Sequence, residues 1–170
     1  MTPASIPLAD THVRLLAAHA GNGNPVFEVL PARSLGSGLF ELAGSPGLVL
    51  GCAAGDVLRV SDDGRFEIRQ TGRNLCVQAA RHSGPFTSEA LAALTKDFDT
   101  VGGLVESPAD RRFIVVTVDR STGVPAITRL MDAWSLGVGQ GEWWFGNADE
   151  AQKAFGGLAS DGQSDRGPPE

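Results

Sequence analysis

Along the first 70 residues the apolar positions come in short bursts, each closed by glycine, proline or asparagine. The run His12-Val13-Arg14-Leu15-Leu16-Ala17-Ala18 meets Gly21-Asn22-Gly23-Asn24-Pro25, a turn signal that favours a strand before it. Further strands are predicted over Val26 to Leu30, over Leu39 to Leu42 after the Gly36-Ser37-Gly38 turn, and over Val57 to Val60 after Gly55-Asp56. Gly44-Ser45-Pro46-Gly47 breaks the chain between them, and Leu48-Val49-Leu50 is one more apolar burst. Asp62-Asp63-Gly64 predicts a hairpin, because Asp-Gly readily adopts the positive φ of a tight turn, and Phe66 and Ile68 alternate on the returning strand. Many short strands with no long helix predict a small β-barrel-like unit over residues 11–72, preceded by a polar, proline-containing flexible arm over residues 1–10.

The period changes in the second half. Asn74 to Arg81 reads as a strand. Thr87-Ser88-Glu89 then opens a helix, with a hydroxyl at the cap and a carboxylate in the first turn, and Leu91, Leu94 and Phe98 fall on one face. Gly102-Gly103 lies inside the apolar stretch Val101 to Val105. Phe113-Ile114-Val115-Val116-Thr117-Val118 is a continuous, mostly β-branched run and so a strand. Pro125 suits a first helical turn, and Ile127, Leu130, Met131, Trp134 and Val138 mark a second helical stripe that Gly137 and Gly139 end. Glu142-Trp143-Trp144-Phe145 is a final strand. The order strand, helix, strand, strand, helix, strand predicts a ferredoxin-like βαββαβ unit over residues 73–148, with both helices on one face of a four-stranded sheet. The fold class expected is therefore α+β, the β-barrel-like unit first and the ferredoxin-like unit second. Residues 149–170 are expected to form a short helix and then a disordered tail rich in Gly, Ser, Asp and Pro.

A sheet covered by helices on one face should alternate polar and apolar residues. The strand from Phe113 does not: Phe113, Val115 and Thr117 share one face, and Ile114, Val116 and Val118 the other. In the last strand Trp143 and Phe145 share a face while Trp144 points opposite. The second face therefore needs a cover. The N-terminal unit, a second copy of the chain, a foreign protein and a small ligand are the candidates. Trp143, Trp144 and Phe145 are candidate partner-binding residues, since tryptophan is enriched where interfaces carry binding energy. Arg111 and Arg112, in the polar turn Asp110-Arg111-Arg112, join them as residues able to grip an anion, although a plain hairpin loop is the stronger reading there.

Composition narrows the function. Of 170 residues, 42% are hydrophobic, enough for a real core. The formal net charge of -6 disfavours nucleic acid and anionic membranes and slightly favours a basic protein partner, while the uncovered sheet face makes a homodimer the other partner expected. Cys52 and Cys76 each sit among apolar residues and read as small buried hydrophobes. His12, His19 and His82 have no metal-ligand spacing, and no phosphate loop, dinucleotide fingerprint or nucleophile elbow occurs, so no metal or cofactor is expected. Were the protein an enzyme, Arg81, His82 and Asp110 in the crevice between the two units would be the first candidates. The residues from Met1 to Pro7 lack a basic region followed by an apolar run, and no stretch approaches the roughly 20 apolar residues of a membrane span, so a cytoplasmic location is expected.

The segment Arg33-Ser34-Leu35-Gly36-Ser37-Gly38-Leu39-Phe40-Glu41-Leu42, continued by Gly55-Asp56-Val57-Leu58-Arg59-Val60, resembles an uncharacterised bacterial family, the domain of unknown function numbered 4265. Its pattern is a Leu-Gly-x-Gly turn, an aromatic strand, an apolar stretch and Gly-Asp-Val-Val, and Glu142-Trp143-Trp144 is similar to its aromatic last strand. The likeness spans about residues 11–148. Relatives often carry Ser-Gly-x-Ser-Thr where this chain has Thr71-Gly72-Arg73-Asn74-Leu75. The resemblance implies a fold and lends no reaction, cofactor or catalytic residue. The function expected is a non-enzymatic protein-binding or regulatory role, with an immunity-type inhibitor of a basic toxin as its specific form. A small-ligand-sensing module and an enzyme with a site between the units are the alternatives.

Overall fold

The computed structural model describes residues 2–147, so the short helix and tail expected over 149–170 lie outside the described residues. The short bursts of the first half form β1 (Thr11–His19), β2 (Pro25–Gly36), β3 (Leu39–Leu42), β4 (Val57–Val60) and β5 (Phe66–Gln70). They pair in sequence order as an antiparallel meander. Val13 and Leu15 point inward while His12 and Arg14 face solvent, the two-residue period of a half-buried strand. A register shift between Leu16 and Ala18 bends β1. The sheet curls until the Leu16 N–H donates to the Gly64 carbonyl at 2.9 Å in the β4–β5 turn. It does not close: β1 and β5 remain its two edges. The expected barrel is absent because the interior is filled from elsewhere. Val49 and Cys52, on the β3–β4 connection, pack with Val13, Leu15, Leu30, Leu42 and Leu58.

The second half folds as β6 (Asn74–Ala80), α1 (Ser88–Asp99), β7 (Leu104–Glu106), β8 (Phe113–Asp119), α2 (Val124–Trp134) and β9 (Glu142–Phe145). The four strands lie in the order β7-β8-β6-β9, every pair antiparallel. Thr87 caps α1, its Oγ1 accepting the Ala90 N–H at 3.0 Å. Leu75, Val77 and Ala79 of β6 and Ile114, Val116 and Val118 of β8 face the helices and form the main core with Leu94, Phe98, Ile127, Met131 and Trp134. Trp134 locks α2 onto α1: its Nε1 donates to the Ala90 carbonyl at 2.8 Å and its ring meets Phe86 at 5.4 Å. The second stripe stops at Trp134. Ser135–Gly139 is a wide turn with a non-helical Gly137, and Val138 is exposed. The protein is thus a mixed α+β chain of two antiparallel sheets and two helices. No helix among the described residues is long and apolar enough to cross a membrane.

The other face of the second sheet carries Asn74, Cys76 and Gln78 from β6 and Val115, Thr117 and Asp119 from β8, all buried. Their cover is the β3–β4 connection, residues 43–56. The N-terminal unit covers the face with this long link. Residues 2–10 form no strand, but the Ala4 N–H donates to Gly102 O and Asn74 Nδ2 donates to Ser5 O, each at 3.0 Å.

Candidate functional site

The cover is held down by a buried polar seam. Glu28, on β2, accepts the backbone N–H of Gly47 at 2.8 Å, Leu48 at 2.9 Å and Val49 at 3.0 Å, using both carboxylate oxygens. Gln78 reaches up from β6, its Nε2 donating to the carbonyls of Pro46 and Val49 at 2.8 Å each. Thr117 Oγ1 donates to Ser45 Oγ at 2.7 Å, and that oxygen also accepts the Ala54 N–H at 3.0 Å. Asp56 ends the connection by accepting the N–H of Ala53 at 2.9 Å and of Gly72 at 2.7 Å. All of these except the Thr117–Ser45 bond satisfy backbone groups that a strandless, mostly buried segment would otherwise leave unpaired. Cys52 and Cys76 lie in this zone, free and buried. Burial pushes both thiols well above the ordinary range, with neighbouring Glu28 and Asp56 adding to it, and a thiol so placed is a poor nucleophile.

Of the residues singled out in the sequence, the three aromatics come together on β9. Trp143 and Phe145 meet edge to face at 5.5 Å and pack against the helical core, and Trp143 Nε1 donates to Asp132 Oδ1 at 3.0 Å. Trp144 points to the other face, 38% exposed, with its Nε1 donating to Gln78 Oε1 at 2.7 Å. One amide, Gln78, therefore holds both the indole and Val49. The Gly51 N–H donates to Gly146 O at 2.8 Å close by. The segment bearing Leu48 and Leu50, the latter 61% exposed, is thus pinned next to Trp144. β9 is an edge strand, and among the described residues only β6 pairs with it.

The arginines stand apart from this edge. Arg111 braces its turn: Nε donates to the Phe86 carbonyl at 2.8 Å, and its own carbonyl accepts the Phe86 N–H at 2.9 Å. Arg112 is exposed, its guanidinium 5.5 Å from the Phe113 ring centroid. Another concavity, along β4 and β5, is lined by Arg59, Arg65 and Arg69, but Asp63 and Glu67 pair with the last two.

A cleft of about 190 Å³ opens where the cover ends, between β2 and the β7–β8 edge. Leu30, Pro31, Pro108, Phe113 and Val115 give it apolar walls, and Glu106 is its charged group. The crevice residues expected for an enzyme are elsewhere. Arg81 Nη1 donates to the Pro85 carbonyl at 2.7 Å, Asp110 accepts the Arg112 N–H at 3.2 Å, and His82 is exposed; none lines the cleft. Its carboxylate and the seam residues Glu28 and Gln78 escaped sequence reasoning, because nothing in the residues beside them marks their partners.

With this geometry in view, residues 28–143 match the family described as Domain of unknown function (DUF4265). The chain belongs to that family. No curated protein matches it. Among solved structures, a hypothetical protein from Neisseria gonorrhoeae is similar, with a TM-score of 0.57 and 12% identity over 84% of this chain and 96% of that one. At that identity the likeness speaks for the fold alone. In this DUF4265 chain, the matched span includes Glu28, Ser45, Asp56, Gln78, Glu106 and Thr117. The Leu-Gly-x-Gly turn is the β2–β3 hairpin, with positive φ at Gly36, Ser37 and Gly38. Gly55-Asp56 closes the cover. Gly72 lies so close to Gly55 that an added Cβ would sit 2.6 Å from its carbonyl.

Proposed function

We propose that this DUF4265 chain is a non-enzymatic binding or regulatory protein of the bacterial cytoplasm that engages a basic protein along the outer edge of β9. An immunity-type inhibitor of a basic toxin is its specific form. The reading treats residues 73–148 as a ferredoxin-like unit whose second face is closed by its own chain, which leaves the edge as the contact surface. The observation that carries it is the combination at β9: an edge strand unpaired on its outer side among the described residues, with Leu48, Leu50 and Trp144 exposed beside it. Edge strands offer free N–H and C=O groups to an incoming strand, and exposed apolar side chains supply contact area. Glu142 and Asp132 rim the strand with negative charge, in keeping with the chain's -6.

The test is solution mass by light scattering on wild type and on the Leu50→Glu/Trp144→Glu double variant, each mixed with basic proteins encoded beside it. A stoichiometric complex is expected for wild type only, with the circular dichroism of the double variant unchanged. A wild-type chain that forms just a symmetric dimer, or no complex at all, contradicts the reading.

A further inference from the structure

Glu106 is the exposed last residue of the edge strand β7. β7 pairs with β8 so that Glu106 lies opposite Val115, and directly opposed residues of an antiparallel pair share a face. Its side chain is therefore on the second face of the sheet, beyond the reach of the cover and at the cleft. Among the described residues no hydrogen bond or ion pair involves its carboxylate. Arg112, the cation associated with Phe113 in the cleft wall, pairs with Asp110 instead, at 3.9 Å.

We propose that this cleft binds a small organic cation, an alkylammonium or alkylguanidinium whose charged head meets Glu106 and whose apolar stem lies against Phe113, Leu30 and Pro31. The volume of about 190 Å³ equals that of about six water molecules, which suits a stem of a few methylenes and one head group. The hydroxyls at the wall are already committed: Ser107 Oγ donates to the Phe113 carbonyl at 2.7 Å, and Ser45 takes the hydrogen bond from Thr117. Among the described lining residues Glu106 is thus the one charged side chain, and it repels anions. Partial desolvation by the cleft walls raises its carboxyl above the usual range. Glu106 is solvent-exposed at the mouth of the cleft, so an incoming cation reaches it without displacing a protein partner.

The site stands apart from the β9 edge, so the two readings fail separately. The full-length protein is titrated with n-butylammonium, n-butylguanidinium and, as control, butyrate, following backbone amide shifts at Ser107 and Phe113 by NMR. Saturable shifts with either cation and none with butyrate are expected, and bound cation should lower the Glu106 titration midpoint. Glu106→Gln should weaken cation binding at least tenfold with no fall in Tm. Equal binding of butyrate, non-saturable shifts, or undiminished binding by Glu106→Gln would each overturn the proposal.

Discussion

Asp119 ends β8 with a carboxylate almost wholly withdrawn from water. Burial alone would raise its pKa, but hydrogen bonding from Ser121, at 2.9 Å from the backbone N–H, and the Arg73 guanidinium, with Nε at 3.2 Å, outweigh it and hold the group below its ordinary 3.8. A carboxyl whose folded value is depressed stabilises the protein above its unfolded value, and that contribution is lost as pH falls through the folded one. Wild type should therefore melt above Asp119→Asn at neutral pH, with the gap closing only in strong acid. A gap that is constant across the thermal melts would contradict this. Residues of this kind were invisible in the sequence. Asn74 and Gln78 alternate with Leu75, Val77 and Ala79, and their polar side chains taken alone suit a solvated face. All of β6 from Asn74 to Ala79 is buried, because the partners of Asn74, Cys76 and Gln78 lie 20 to 32 residues earlier in the β3–β4 connection.

At the scale of elements, signals that act within a few residues were legible. Thr87 caps α1 as its hydroxyl and position implied, and Asp62-Asp63-Gly64 turns the β4–β5 hairpin with φ of 83° at Gly64. Leu48-Val49-Leu50 carries no such local signal. Its apolar run suits a strand, yet only Val49 is buried, and the segment is stretched across the sheet with its amides held by Glu28. This makes Glu28 the anchor of the cover. Gly47 binds Oε2, while Leu48 and Val49 share Oε1, so an amide at this position could serve only one side and would turn an N–H toward the other. Glu28→Gln should cost about 2 kcal/mol in urea unfolding, the scale of losing charge-assisted hydrogen bonds. A midpoint unchanged from wild type would show that the carboxylate does not hold the connection.

For the whole molecule, the periodicity of the two halves told the α+β class and that the second sheet has two faces to bury. It could not tell that the first sheet stays open, since that follows from Val49 and Cys52 filling its interior, nor where the cover would stop. Those two limits place both proposed sites: the aromatic edge at one margin of the connection and the Glu106 cleft at the other. Both proposed sites require the connection to be a permanent part of the fold. Native-state hydrogen exchange of the Gly47, Leu48 and Val49 amides tests this directly. Protection comparable to that of β6 and β8 is predicted, which confines binding to the margins. Rapid exchange at those three amides, with the strands still protected, would contradict it and make the connection a lid over a second face that is itself the binding surface.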